Sequence, residues 1–241
     1  MTLKVKNILI IGAGHGLGFG LVKECLSRYP DVEIFATYRL AEKAQELLAL
    51  SVKAYQIDPI SEASVEEYIL TLPQLDLVIN CVGVLHNEEF GPEKSLRDIN
   101  IDRLTTQFQV NSMVTPLWGK YLKRHFSKDT TSVFATLSAM VGSIGENEVG
   151  GWYGYRASKT ALNMFIKTMA IELARSGHKT SIVAIHPGTA HTELSKPFVS
   201  GVKHQIWQPQ EAAANILNVL ETCPDQGTGI FKNWDGRTIL W

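Results

Sequence analysis

Nowhere do the 241 residues contain a run of about 18 apolar side chains, so no segment is suited to cross a bilayer as a helix. Lys4 and Lys6 precede an apolar stretch, as in a secretory leader, but Ile8–Ile11 gives way at once to glycines and His15. That stretch reads as a buried strand, and a cytoplasmic location is the expectation. Charge of one sign is also missing: 23 basic against 24 acidic residues leave a formal net charge of −1, which supplies no field for nucleic acid or an anionic membrane surface. Cysteine is scarce. Cys25, Cys81 and Cys223 lie far apart with no paired spacing, which argues against a disulfide framework or a zinc site and for small buried hydrophobes in a reducing compartment. The seven histidines show no H-E-x-x-H or comparable ligand spacing, so no metal is expected. Repeats, low-complexity tracts and Pro/Gly/Ser-rich linkers are absent as well, and a chain of this length with 45% hydrophobic residues suits one domain spanning 1–241.

What is present is an alternation. Short β-rich runs near 6–11, 33–38, 52–57, 75–81, 131–137, 181–186 and 229–232 are separated by segments of helical period near 17–29, 41–50, 61–70, 101–126, 154–175 and 210–222. This pattern predicts an α/β fold: a doubly wound (Rossmann) parallel sheet of about seven strands with helices on both faces. Two long loops, 138–152 and 187–208, would follow strands at their carboxyl ends, the edge where open parallel sheets bind ligands. The second is the expected substrate loop.

The first strand runs directly into Gly12-Ala13-Gly14-His15-Gly16-Leu17-Gly18-Phe19-Gly20, which opens a helix. Glycines let the backbone turn tightly and approach a pyrophosphate, whose charge the exposed N–H groups and dipole of the helix start stabilise. Strict G-x-G-x-x-G fails in every register. G-x-x-x-G-x-G fits twice, and Gly12/Gly16/Gly18 is preferred over Gly14/Gly18/Gly20 because Gly12 stands where the turn must begin. A merely flexible loop is disfavoured, since glycine in the first turns of a helix costs about 1 kcal/mol relative to alanine. After the second strand comes Ala36-Thr37-Tyr38-Arg39, with no acid for a ribose 2′-hydroxyl. The Arg39 guanidinium suits a 2′-phosphate, which favours NADP over NAD; a solvated surface charge is the competing reading.

Tyr155 and Lys159 stand one helical turn apart and share a face. A nearby cation favours the phenolate and brings a phenol, whose free pKa is about 10, toward the range of useful acid/base exchange. By itself the spacing is weak, but Tyr155 opens a helix at the same sheet edge as the glycine turn.

These features together resemble the short-chain dehydrogenase/reductase family nearly end to end, and Gly150–Asn163 with His186-Pro187-Gly188-Thr189 resembles its branch of C-factor signalling proteins and small carbonyl reductases. The resemblance implies a catalytic Asn-Ser-Tyr-Lys group: Tyr155 as acid/base, Lys159 lowering its pKa and binding the nicotinamide ribose, and Asn111 holding a water of the proton relay. For the cofactor it implies contacts from Gly12, Gly14, His15, Gly16, Leu17 and Gly18, from Asp58 at adenine, from Asn80 and Gly83, and from Pro187, Gly188, Thr189 and Thr192 at the carboxamide. Three departures stand out. Ile11 replaces the usual Thr, Cys81 replaces an Asn, and Leu137-Ser138-Ala139 replaces a Ser-Ser pair whose second hydroxyl polarises the substrate carbonyl. Ser138 is the chosen catalytic serine, with Ser143 as fallback.

The helix bearing Tyr155 is apolar over a wide sector, including Met164, Phe165 and Met169, which predicts packing against a second copy in a homodimer or homotetramer. Trp152, Phe198 and Trp207 flank the expected cleft and favour a small apolar carbonyl or alcohol substrate. The expected function is hydride transfer between NADPH and such a substrate. A C-factor-like signalling protein that binds dinucleotide with little turnover is the rival; a sugar-nucleotide epimerase is disfavoured by the glycine spacing and by the lack of room for a substrate domain.

Overall fold

The computed structural model describes residues 3–87, 90–200, 202–223 and 229–241. Seven strands, β1 (Asn7–Ile11), β2 (Glu33–Tyr38), β3 (Lys53–Gln56), β4 (Leu77–Asn80), β5 (Ser132–Leu137), β6 (Thr180–His186) and β9 (Ile230–Asn233), form one parallel sheet in the order β3-β2-β1-β4-β5-β6-β9. A two-stranded parallel ribbon of β7 (Thr189–Ala190) and β8 (Ile206–Trp207) closes the 187–208 loop on itself. The strand order reverses direction between β1 and β4, so the crevice above their carboxyl ends is where this topology binds ligands.

Alternation along the strands sorts the core into two layers. Leu9, Phe35, Val78, Phe134 and Ile182 face α3 (Glu62–Ile69), α5 (Val114–Leu122) and α6 (Tyr153–Arg175). Ile8, Ile34, Leu77, Val133 and Val183 face α1 (Gly16–Arg28) and α7 (Pro209–Glu221). Because both faces are covered, the strands carry nearly continuous apolar residues. At Gly20 a Cβ would lie 2.6 Å from the Pro209 carbonyl oxygen, so the missing side chain is what lets α1 and α7 touch.

Two expected helices are interrupted. The segment near 41–50 resolves into a 3-10 turn, Ala41–Lys43, and a single turn, α2 (Gln45–Leu48). The segment 101–126 runs as α4 (Ile101–Phe108), a π turn (Gln109–Met113) and α5. Pro116 explains the widening: it has no N–H to give the Ser112 carbonyl one turn back, and its ring crowds that carbonyl. Asn111 sits in this widened turn. Among the described residues no helix is long and apolar enough to cross a membrane, and no cluster of His, Cys, Asp and Glu could hold a metal ion.

Candidate active site

The glycine turn joins β1 to α1 with the geometry a pyrophosphate requires. Gly12 (φ +80) and Gly16 (φ +58) occupy left-handed backbone, and a Cβ on Gly18 would lie 2.2 Å from the Gly12 carbonyl oxygen. These are the three glycines of the preferred register; Gly14 has ordinary backbone and its Cβ position meets Tyr38 at 3.2 Å. Ile11 supplies no hydroxyl, but the turn is tied down from elsewhere. Gly12 donates its N–H to Thr37 Oγ1 at 3.2 Å, and Ala13 donates to the Thr37 carbonyl at 2.7 Å. Leu17 turns partly into the layer beneath α1.

Charges gather at the outer end of this turn. Arg39 is exposed just beyond β2. Lys43 pairs with Glu193 at 2.6 Å, which holds the Glu193 carboxyl below its ordinary range. His15 lies close enough to sense all three: burial chiefly lowers its pKa, Lys43 and Arg39 add to that, and Glu193 opposes it. Together with His15 and Glu193, Gly16 and Thr192 line a cleft of about 680 Å³. Asp58 is exposed and accepts from the Ile60 N–H at 3.2 Å, a turn-forming contact at the end of β3.

At the other end, Tyr155 and Lys159 lie buried in the first two turns of α6. Lys159 Nζ sits 5.8 Å from the Tyr155 ring centroid and donates to the Leu137 carbonyl at 2.8 Å. Burial pushes the Lys159 amine down to about 8 and the Tyr155 phenol up to about 12. The expected lowering of the phenol by its lysine neighbour is therefore not what dominates here; desolvation of both groups does. Asn111 accepts the Val84 N–H at 2.7 Å through Oδ1, and its Nδ2 donates to the Val84 carbonyl (2.9 Å) and to Ser158 Oγ (3.0 Å), which in turn donates to the Tyr155 carbonyl. One side chain thus staples the loop after β4 to the helix of Tyr155. A Cβ on Gly83 would meet Asn111 Oδ1 at 3.4 Å and Lys159 Nζ at 3.5 Å, so that loop passes directly beside the pair. Asn80 is inward-facing, accepting from the Val82 N–H and donating to Thr115, and so shapes the loop rather than pointing into the cleft.

Both expected serines bond away from the Tyr-Lys pair. Ser138 Oγ donates to Asn163 Oδ1 at 2.7 Å, buried against α6, and Ser143 Oγ accepts from the Glu146 N–H within its own loop. Neither bonds to Tyr155 or Lys159. The strand-end residue packed with Tyr155 is Ala139, in an apolar cluster with Leu85, Val141, Trp152, Leu194 and Phe198. Phe198 packs tilted against Trp152 (ring centroids 5.0 Å), which stands edge-on to Tyr155 at 6.2 Å. Trp207 lies elsewhere: it packs on Trp234 and against Gly188, whose φ of +73 redirects the chain after Pro187. Thr189 Oγ1 bonds His204, and Thr192 rests on Gly16, where a Cβ would lie 3.5 Å from its methyl group. Sequence reasoning missed Thr37, Lys43 and Asn163. Asn163 alone was within reach, since it falls one turn beyond Lys159 on the same helix.

A glycine turn at the strand-order reversal, with a buried Tyr-Lys pair across the same edge, defines an NAD(P)-binding oxidoreductase of the Rossmann type. The chain belongs to the short-chain dehydrogenase family, whose model matches residues 6–203. It is 27% identical over 241 residues to 1-hydroxy-2-glutathionyl-2-methyl-3-butene dehydrogenase of Rhodococcus sp. (strain AD45), covering 98% of this chain and 100% of that one. It is 25% identical over 167 residues to C-signal of Myxococcus xanthus, covering 69% and 93%. Among solved structures, the NADPH-bound carbonyl reductase from chicken fatty liver superposes with a TM-score of 0.85 at 23% identity, covering 99% of this chain and 95% of that one.

Proposed function

We propose that this short-chain dehydrogenase is an NADP-dependent carbonyl reductase for a small apolar carbonyl or alcohol substrate. The observation that carries the reading is the buried Tyr155–Lys159 pair, at the same sheet edge as the glycine turn and packed against the Trp152/Phe198 cluster. The positive-φ glycines, and the tight turn that Gly18 allows by letting the Gly12 carbonyl pack against it, suit a pyrophosphate, and Arg39, with His15 and Lys43 beside it, suits a 2′-phosphate. When bound, the nicotinamide supplies or accepts the hydride. The chain's own part is to hold the proton: Tyr155 keeps its hydroxyl protonated at neutral pH and would offer it to a carbonyl oxygen brought beside the apolar Trp152/Phe198 cluster. Lys159, tied to the Leu137 carbonyl, supplies positive charge beside the phenol as negative charge develops. Asn111 keeps the loop at Gly83 against both. With Ala139 where a second donor would stand, Tyr155 carries more of the oxygen's charge.

The apolar face of α6, with Met164 and Phe165 exposed, supports a homodimer or homotetramer, which the molecular mass from sedimentation equilibrium checks. Three free cysteines suit a cytoplasmic setting. Ala139 also favours the rival, a signalling role with little turnover like that suggested by the name of the C-signal relative. NADPH oxidation against a panel of aldehydes, ketones and quinones, with NADH run in parallel, separates the two: the reductase reading expects turnover with NADPH, and inactivity with both cofactors leaves the signalling reading.

A further inference from the structure

The first turn of α6, which carries Tyr155, has no cap of its own. Its N-cap residue Trp152 makes no side-chain cap, and no acid stands in its first turn. Trp152 is also held in left-handed backbone (φ 52, ψ 43), an uncommon conformation for a bulky residue that its surroundings must impose. Both needs are met by one residue far away in sequence. Glu93, only 3% exposed, accepts the Gly154 N–H through Oε2 at 3.1 Å, and its backbone carbonyl accepts the Trp152 N–H. Its carbonyl also lies 3.5 Å from where a Cβ on Gly151 would be, so the chain meets it at Gly151, Trp152 and Gly154.

A second polar side chain converges on the same spot. Gln107 of α4 is fully buried, and a Cβ on Gly154 would lie 2.3 Å from its Oε1. Neither the other Glu93 carboxylate oxygen nor the Gln107 amide pairs with another described residue. Burying a carboxylate beside an unpaired amide is unfavourable unless something offsets it. A negative charge on the exposed N–H groups of a long helix is one such offset, and it acts one residue from the proposed acid.

We propose that Glu93 is the positioning residue for Tyr155: it anchors the left-handed turn at Trp152 and the Gly154 N–H in the first turn of α6, so that the phenol is held at a fixed place and angle beside Leu85, Ala139 and Trp152. Gly154 is glycine because the Gln107 amide fills the space of its side chain. The inference rests on the reading of Tyr155 as the acid, and its test separates the two.

Glu93→Ala and Glu93→Gln are compared with the intact protein by NADPH titration, by kcat and KM on an active panel substrate, and by amide hydrogen exchange over 152–156. The expected result for Glu93→Ala is a kcat at least tenfold lower with NADPH affinity within twofold, and exchange over that segment at least tenfold faster. Glu93→Gln, which keeps an uncharged acceptor, should recover kcat to within threefold while Gly154 exchanges severalfold faster. Unchanged kcat in Glu93→Ala, or unchanged Gly154 exchange in Glu93→Gln, overturns the proposal. If Glu93→Ala does not fold, or no panel member is turned over, the exchange of Gly154 in Glu93→Gln decides alone. Full turnover by Tyr155→Phe would instead remove the acid reading, leaving the anchoring of the helix to stand or fall on exchange.

Discussion

The two ends of the candidate site are built on opposite principles. At the glycine-turn end the charged groups are wet: the Lys43 and Glu193 side chains are 40% and 67% exposed, and Arg39 reaches into solvent. At the Tyr155 end the polar groups are dry, with Lys159 3% and Asn111 2% exposed and each bonded to backbone carbonyl or amide groups nearby. Water screens the first set, so its contacts are individually weak and exchangeable; burial fixes the second set, lowers the pKa of the Lys159 amine and raises that of the Tyr155 phenol. A surface that must capture and release a large anion can be loose, whereas one that must place a proton cannot.

Substitutions at each end sharpen the contrast. Tyr155→Phe should lower kcat by about 10²- to 10⁴-fold while leaving the NADPH dissociation constant unchanged, because only the proton donor is removed; a parallel loss of binding would merge the two ends. Lys159→Met should cut kcat by a similar order and at the same time raise stability. With its pKa pushed down to about 8 from an ordinary 10.5, the lysine binds fewer protons folded than unfolded between those values, so the native state gains stability as pH rises through the window and loses it as pH falls through 8. At pH 7 the buried charge costs on the order of 3 kcal/mol, partly offset by its bond to Leu137, and removing it should add about 2 kcal/mol. Urea unfolding at pH 7 and pH 10 checks this: the advantage should shrink at the higher pH.

At the wet end the expected effects are smaller. Arg39→Ala should weaken NADPH binding about tenfold, the scale of a charge-assisted hydrogen bond, without touching NADH binding or kcat at saturation; equal losses for both cofactors would show that the guanidinium does not meet a 2′-phosphate. Glu193→Gln should release Lys43 toward the same phosphate and tighten NADPH about twofold, within the range of exposed ion pairs. Isothermal titration resolves both.

The sheet was legible because each buried strand is a short β-branched or apolar run such as Ile8–Ile11, bounded by turn residues. The glycine turn and the Tyr-Lys pair were legible because their spacing is local. The direction of Ser138 was not read, although period-two alternation carries it: Phe134 and Thr136 of β5 face the α5/α6 layer, so Ser138 continues toward Asn163 on α6. Pro116 likewise announced the widened turn at Asn111. Thr37 on Gly12, Lys43 on Glu193 and Glu93 on Gly154 join residues 25 to 150 positions apart, and no local pattern announces such pairs.

The segment from Thr192 to Phe198 touches both ends, resting on Gly16 at one and on Trp152 at the other. A span so shared makes the two occupancies a thermodynamic cycle: whatever factor a seated dinucleotide adds to the affinity for the second ligand, that ligand must return to the dinucleotide. Reciprocity holds for any two ligands of one protein; what a shared span adds is a factor different from one, which should fall toward one when its contacts with Gly16 or Trp152 are removed.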